Sequence, residues 1–294
     1  MAQQPNKKHL NKLSEFSVGH QTNLALAQYY RWFQTFEREQ NDQRIKNHLS
    51  LLSDSVLITT YNGPMHGKEG MLGFLKYVST WKNSHHIERV SVKPSNDGTI
   101  ELEADILYKN ILPDKKQNTY KLNYITELKE INNELPVFNS ISLLPTATIE
   151  NPTYEDAYTE NRSKSFMHYW FYLLDNPSGN ANKFRELLAP DFHLQQSEAN
   201  ISNYEQFESW LRKKHSNCRA SLHSYKNFKS KTNADQTISV SLDVVWKGIN
   251  LKGEKITAEI HHEWILESKL DKRFARIKDI KSQQIRPFTV VQNF

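Results

Sequence analysis

Histidine is the residue type in this chain whose placement invites chemistry. If Ile256–Glu267 forms a strand, Ala258, Ile260, His262, Trp264 and Leu266 share one face, and Glu259, His261, Glu263 and Ile265 share the other. The first face is the more apolar and is expected to point inward, leaving His262 alone among apolar neighbours. An imidazole titrates near neutrality, so such a residue can hold or move a proton. The plainer reading is a core histidine satisfied by one hydrogen bond. His193 alternates away from Phe192 and Leu194 and is expected outside. His168 stands at the mouth of a pocket or on a helix surface.

Other chemistries find less support. His85-His86 and His261-His262 are adjacent pairs, and strand neighbours point to opposite faces, so neither pair chelates one ion. No His-x-x-x-His or Cys-x-x-Cys spacing and no glycine-rich phosphate loop occurs. Neither a metal nor a cofactor is expected. Cys218 follows a helix without an obvious base and reads as a plain thiol. As the only cysteine, it excludes an intrachain disulfide.

The elements that would position these groups are written twice. Leu51-Leu-Ser-Asp-Ser-Val-Leu-Ile reads onto Leu187-Leu-Ala-Pro-Asp-Phe-His-Leu at a shift of 187 − 51 = 136. Thr99–Lys109 reads onto Thr237–Lys247 at a shift of 237 − 99 = 138. A tandem duplication follows. The expected divisions are a flexible arm over 1–20, a first domain over 21–145, a polar, acidic linker over 146–162 and a second domain over 163–294. In each half three helices with one strand among them precede a run of strands, which is an α+β order. Turn chemistry at Asn96-Asp97-Gly98 and Pro113-Asp114 separates the strands of the first half. The expected core or pocket walls are Trp32, Phe33, Phe74, Leu102 and Tyr108, with Trp170, Phe171, Trp210, Val240 and Trp246 as counterparts.

Composition sets the class. Of 294 residues, 37% are apolar and 11% aromatic, enough for two cores. The net charge of +5 is too small an excess to mark a nucleic-acid surface. The N-terminal residues lack the apolar run of a signal peptide, and no stretch has transmembrane length. A cytoplasmic protein without nucleic-acid or membrane partners is expected.

Phe184-Arg-Glu-Leu-Leu-Ala-Pro-Asp-Phe-His-Leu, Gly67-x3-Met71-x2-Phe74-Leu75 and Arg273–Ile280 together resemble the nuclear transport factor 2-like superfamily, in its SnoaL-like branch. The resemblance runs once through each half. It implies two cone-shaped (cystatin-like) domains, each with three helices packed on a curved antiparallel sheet and a pocket between them. The superfamily includes isomerases, dehydratases, cyclases, ligand-binding proteins and non-catalytic partner domains, so fold alone does not choose. Its ketosteroid-isomerase-like members place a hydrogen-bond donor where His262 and Tyr124 stand. Their base position matches Thr60 and Gln196, neither of which accepts a proton at neutral pH. Their helix tyrosine falls near Tyr30 and Trp32, or Tyr169 and Trp170.

The expected ligand contacts are therefore Tyr30, Trp32, Tyr108, Tyr124, Tyr169, Trp170, Trp246, His262 and Trp264, with His262 the one catalytic candidate. The leading expectation is a protein that binds a small, largely apolar molecule in one or both halves. Alternatives are a cofactor-free lyase, isomerase or cyclase using His262, and a non-catalytic interaction scaffold. Asp105 and Asp243 correspond, as do Lys109 and Lys247, on the outer sheet faces. They read as surface ion pairs, or as marks of outer-face packing between the halves or in a homodimer.

Overall fold

The computed structural model describes residues 14–131, 134–150, 153–176, 180–196 and 199–294. The first half runs α1 (Glu15–Phe36), α2 (Asp42–Leu49), β1 (Leu52–Thr60), β2 (Gly63–His66), α3 (Gly67–Val78), β3 (Lys82–Pro94), β4 (Thr99–Ile111), β5 (Gln117–Lys129) and β6 (Val137–Thr148). The second runs α4 (Tyr158–Asp175), a 3-10 turn (Ala181–Glu186), β7 (Leu188–Gln196), β8 (Ala199–Ile201), α5 (Tyr204–Ser216), β9 (Cys218–Thr232), β10 (Ile238–Asn250), β11 (Lys255–Glu267) and β12 (Arg276–Val291). The two sheets have the same order, β2-β1-β6-β5-β4-β3 and β8-β7-β12-β11-β10-β9. Each is antiparallel except where β1 meets β6 and β7 meets β12, which run parallel.

Local chemistry sets the helix starts. Ser14, Asn41 and Asn203 cap α1, α2 and α5 by accepting the N–H of Ser17, Arg44 and Gln206. Glu15–His20 are thus the opening turns of a helix, although a flexible arm was expected to reach residue 20; residues 1–13 lie outside the described set. Strand β6 continues to Thr148 and α4 begins at Tyr158, so the connection is shorter than the 146–162 linker.

Each sheet buries its inner face against its own helices. In β10, Ile238, Val240, Leu242 and Val244 are buried at every second residue, as a half-covered strand requires. Trp210 and Trp246 are only half-buried, whereas Phe207 and Leu211 carry the buried face of α5.

The halves meet through α1 and α4, not through their outer sheet faces. Ser165 Oγ donates to the Ala27 carbonyl at 2.8 Å, and Tyr30 stacks on His168 at 5.7 Å between ring centroids. Leu24 and Ala27 of α1 belong to the core of the second half. Both helices are therefore buried around most of their circumference, which blurs the amphipathic stripe that marks a surface helix. On the outer faces, Arg89 and Asn123 hold Asp105, and His261 and Asn227 hold Asp243. Lys109 and Lys247 reach further, to Glu155 and Glu15.

Those last two ion pairs reveal an exchange. The segment entering each first helix lies on the other half's sheet. Glu15 binds Lys247, His20 Nε2 lies 2.8 Å from the Ser221 carbonyl, and a Cβ on Gly19 would fall 2.4 Å from Leu222. Reciprocally, Glu155 binds Lys109, and the Ala157 N–H donates to Ser84 Oγ at 2.9 Å.

Candidate active site

Each first helix ends in a buried carboxylate that grips a histidine on the first long strand of its half. In the second half the pair is Asp175, the last residue of α4, and His223 on β9. Asp175 accepts the His223 backbone N–H at 2.7 Å, His223 Nδ1–H at 2.5 Å and Ser221 Oγ–H at 2.7 Å. Burial alone would raise the Asp175 carboxyl. His223, Lys214 and the hydrogen bonds outweigh that and hold it below the ordinary carboxylate range. Burial, and then Lys214, push the His223 imidazole below its usual value against the pull of Asp175. His223 is accordingly neutral near pH 7, with its proton on Nδ1 and a lone pair on Nε2.

That lone pair faces an amine. Lys214 Nζ on α5 lies 3.3 Å from His223 Nε2. Lys214 also lines a cavity of about 30 Å³ with Asp175, His215, Cys218, Ala220, Ser221 and Trp246. A space of that size holds one or two waters. Trp246 forms one wall by lying flat on the strand beyond it: a Cβ on Gly248 would stand 2.3 Å from the indole. Phe288 meets the same indole edge-on at 5.3 Å. Cys218 Sγ is occupied by the carbonyls of Ala220 and Ile249, and burial raises its thiol.

His262 lies on the inner face of β11 beside Trp264, whose indole N–H donates to His262 Nδ1 at 3.3 Å. Ser282 Oγ stands 3.3 Å from the same nitrogen and donates to Gln196 Oε1. Burial, and then the nearby His223 and Lys214, push the His262 imidazole down to about 3. It is neutral and a weak base.

The first half repeats the pair as Glu37 and His85, also 48 residues apart. Glu37 accepts the His85 N–H at 2.7 Å, and its Nδ1 lies 3.3 Å away. Here no amine follows. His85 is stacked on Tyr108 at 4.8 Å and packed on Phe33 and Phe36. A file of hydrogen bonds from Asn118 through Asn110 and Tyr108 to Asn83 runs beside it. Counting by the shift of 136, Val78 stands where Lys214 does, and it is buried.

Both pairs are braced from the opposite half. Asn161 of α4 donates to the Glu37 carboxylate and to the His85 carbonyl, each at 2.9 Å. Asn23 of α1 donates to the His223 carbonyl at 3.3 Å and accepts from His168 Nδ1 at 2.8 Å.

The remaining residues singled out by sequence are dispersed. Tyr30 and His168 sit in the contact between halves, rather than at a pocket mouth. Trp32 packs on Phe36, His48 and Phe138. Trp170 packs on Phe166, Phe184 and Phe207. Trp264 meets Phe166 and Phe171 and is 1% exposed. All three are core. Tyr169 stacks on Phe274, and Tyr124 meets Phe33 edge-on. His193 is exposed beside Asp279. Sequence reasoning missed Asp175, His223 and Lys214. The available signal was the pair of carboxylates closing each first helix, each 48 residues before a strand histidine. Among the described residues no group of three or more His, Cys, Asp or Glu is placed to hold a metal, and no helix is long and apolar enough to cross a membrane.

No family model matches the chain, and no curated protein matches it in sequence. Several solved structures resemble part of it. A hexachlorocyclohexane dehydrochlorinase, LinA type 2, shares 13% identity over 46% of this chain and 93% of its own, with a TM-score of 0.40. A putative aromatic ring hydroxylase from Novosphingobium aromaticivorans shares 11% over 47% and 96%, at 0.42. ActVI-ORFA from Streptomyces coelicolor shares 11% over 43% and 97%, at 0.36. Each such match spans the equivalent of one half, and at these values it assigns no substrate. In fold the chain is a tandem of two α+β domains of the same topology, each a six-stranded sheet with helices on its inner face, as the repeated strand order shows.

Proposed function

We propose that the second half takes up a small, largely apolar molecule and removes a proton from one of its carbons, with His223 as general base. This is the chemistry of a cofactor-free lyase or isomerase. The observation that carries the reading is the double tether of His223 to Asp175, through its backbone N–H and through Nδ1–H. One carboxylate thereby fixes both the tautomer and the ring orientation, and Nε2 is left with its lone pair free of the carboxylate, as a positioned proton acceptor requires. His262 serves as a polar wall: it is too weak a base for the transfer. The first half, with His85 closed in by rings and Val78 in place of a lysine, acts as a scaffold.

A cavity of about 30 Å³ is far below the several hundred Å³ of ordinary ligand sites. Uptake therefore requires the half-buried Trp246 side chain to swing outward. The test is a panel of small ketones and aldehydes incubated in D2O with the full chain, with carbon deuteration read by NMR. Exchange at an α-carbon is expected in the wild type and is expected to fall roughly 100- to 10,000-fold in His223→Gln, the usual range for a general base. Exchange that survives in His223→Gln, or none in the wild type across the panel, overturns the reading.

A further inference from the structure

Lys214 is an unusual lysine for its place. It belongs to the charged C-terminal turn of α5, where Lys213 is exposed, yet its amine is turned into the enclosed cavity and against His223. No carboxylate lies within ion-pair distance of it among the described residues; Asp175, the acid on the cavity wall, is already engaged by three donors. An ammonium there has only the Trp210 ring, 5.7 Å from Nζ to its centroid, and the engaged Asp175 to offset its burial, whereas a neutral amine beside a histidine fits the site.

We propose that Lys214 is a nucleophilic amine that condenses with the carbonyl group of a small aldehyde or ketone. The Nζ lone pair adds to the carbonyl carbon, forming the C–N bond, and the π pair moves to oxygen. The proton lost from Nζ passes to His223 Nε2, 3.3 Å away, and the alkoxide oxygen takes a proton from solvent water to give a carbinolamine. Return of the proton from His223 expels the hydroxyl as water, and the nitrogen lone pair forms the C=N bond. Amine, carbonyl and one solvent proton give a protonated imine and water, with no change of oxidation state. Asp175 stabilises the transient imidazolium.

This deepens the reading of His223 as a base, because a protonated imine makes the neighbouring carbon far more acidic than a ketone does. It also needs only the carbonyl carbon inside the small cavity, with the rest of the molecule toward Trp246. Burial lowers the Lys214 amine to about 8. At pH 7 about one-tenth of such a group is neutral, against a few parts in ten thousand of an ordinary lysine.

The experiment is reductive trapping on the full chain at pH 7, with limiting formaldehyde and cyanoborohydride, followed by peptide mapping. Formaldehyde is small enough for the cavity, and Lys213 is an internal control one residue away. Methylation of Lys214 at least tenfold faster than of Lys213 is expected, with the preference reduced in His223→Gln and the site silent in Lys214→Arg. Equal or slower labelling of Lys214 overturns the proposal, because the amine is then an ordinary one or is closed off. The two readings separate cleanly. Selective trapping without deuterium exchange removes the base and keeps the amine, and exchange that persists in Lys214→Arg removes the amine and keeps the base.

Discussion

Mild acid should destabilise this protein substantially, even before most of its carboxylates are protonated. His48 is 0% exposed and His168 3% exposed, and burial lowers each imidazole to about 3, helped by Arg31 and Arg44 at His48 and by Lys164 at His168. In the unfolded chain both titrate near 6.5. Their neutral forms therefore favour the fold above about pH 6.5. Below that value the unfolded state binds more protons, and stability is lost progressively until the pH reaches about 3. Integrating from neutrality to pH 4.5 gives about 2.7 kcal/mol for each residue, or about 5 kcal/mol together. That is a third or more of the stability of an ordinary domain. Urea midpoints followed by tryptophan fluorescence at pH 7.5 and 4.5 measure the loss. His48→Leu sharpens the test. Both ring nitrogens of His48 are buried without partners, between Trp32 at 4.5 Å and Phe36 at 4.7 Å. The substitution should remove about 2.7 kcal/mol of the acid loss and leave the protein at least as stable at pH 7.5. A wild type whose stability at pH 4.5 lies within 1 kcal/mol of its value at pH 7.5 would refute the reasoning, as would an unchanged loss in His48→Leu.

Asp175→Asn, which puts an amide NH2 in place of one accepting oxygen against donors that need an acceptor, should cost about 2–4 kcal/mol in urea unfolding; a cost below 1 kcal/mol would contradict the geometry. Phe207→Ala should cost about 3–5 kcal/mol, and the half-buried Trp210→Ala clearly less; the reverse order would be inconsistent with the packing of α5. Gly248→Ala should displace the Trp246 indole, seen as a change in tryptophan fluorescence and faster labelling of Lys214, while an unchanged spectrum would place the ring elsewhere. The second half expressed from residue 153 should fail to fold alone, since it loses Leu24, Ala27 and Asn23 of α1, and a cooperative unfolding transition in that fragment would count against the shared core.

The repeat, the α+β order and most strands were legible because strand alternation and turn residues are local signals. Strand parity put His262 on the inner face, and the structure has it there. The helix partners were not legible. With α1 and α4 each set against one sheet, Tyr30 reads as a pocket residue and His168 as a pocket-mouth or surface one, whereas each helix packs also on the other. Aromatic residues on such a helix do not announce which neighbour they meet, so Trp32 and Trp170 went to the core rather than to a ligand. Asp175 and His223 escaped notice because they lie 48 residues apart in the chain and their meeting is tertiary. Lys214 looked like one of several charges at a helix end, a position where lysine has an ordinary electrostatic reason to be.

The reciprocal bracing of the two halves has a consequence for how such a chain can change. In an assembly of two identical subunits, every substitution is inherited by both sites at once, so a residue needed by one cannot be lost from the other. Joining the subunits in one polypeptide removes that restriction while each still leans on its neighbour, Asn161 on His85 and Asn23 on His223. One site can then close around rings and become a support, as Val78 and Tyr108 have done, while its twin keeps a lysine and a hollow. The fusion makes inequality between the sites heritable, while each half still leans on the other.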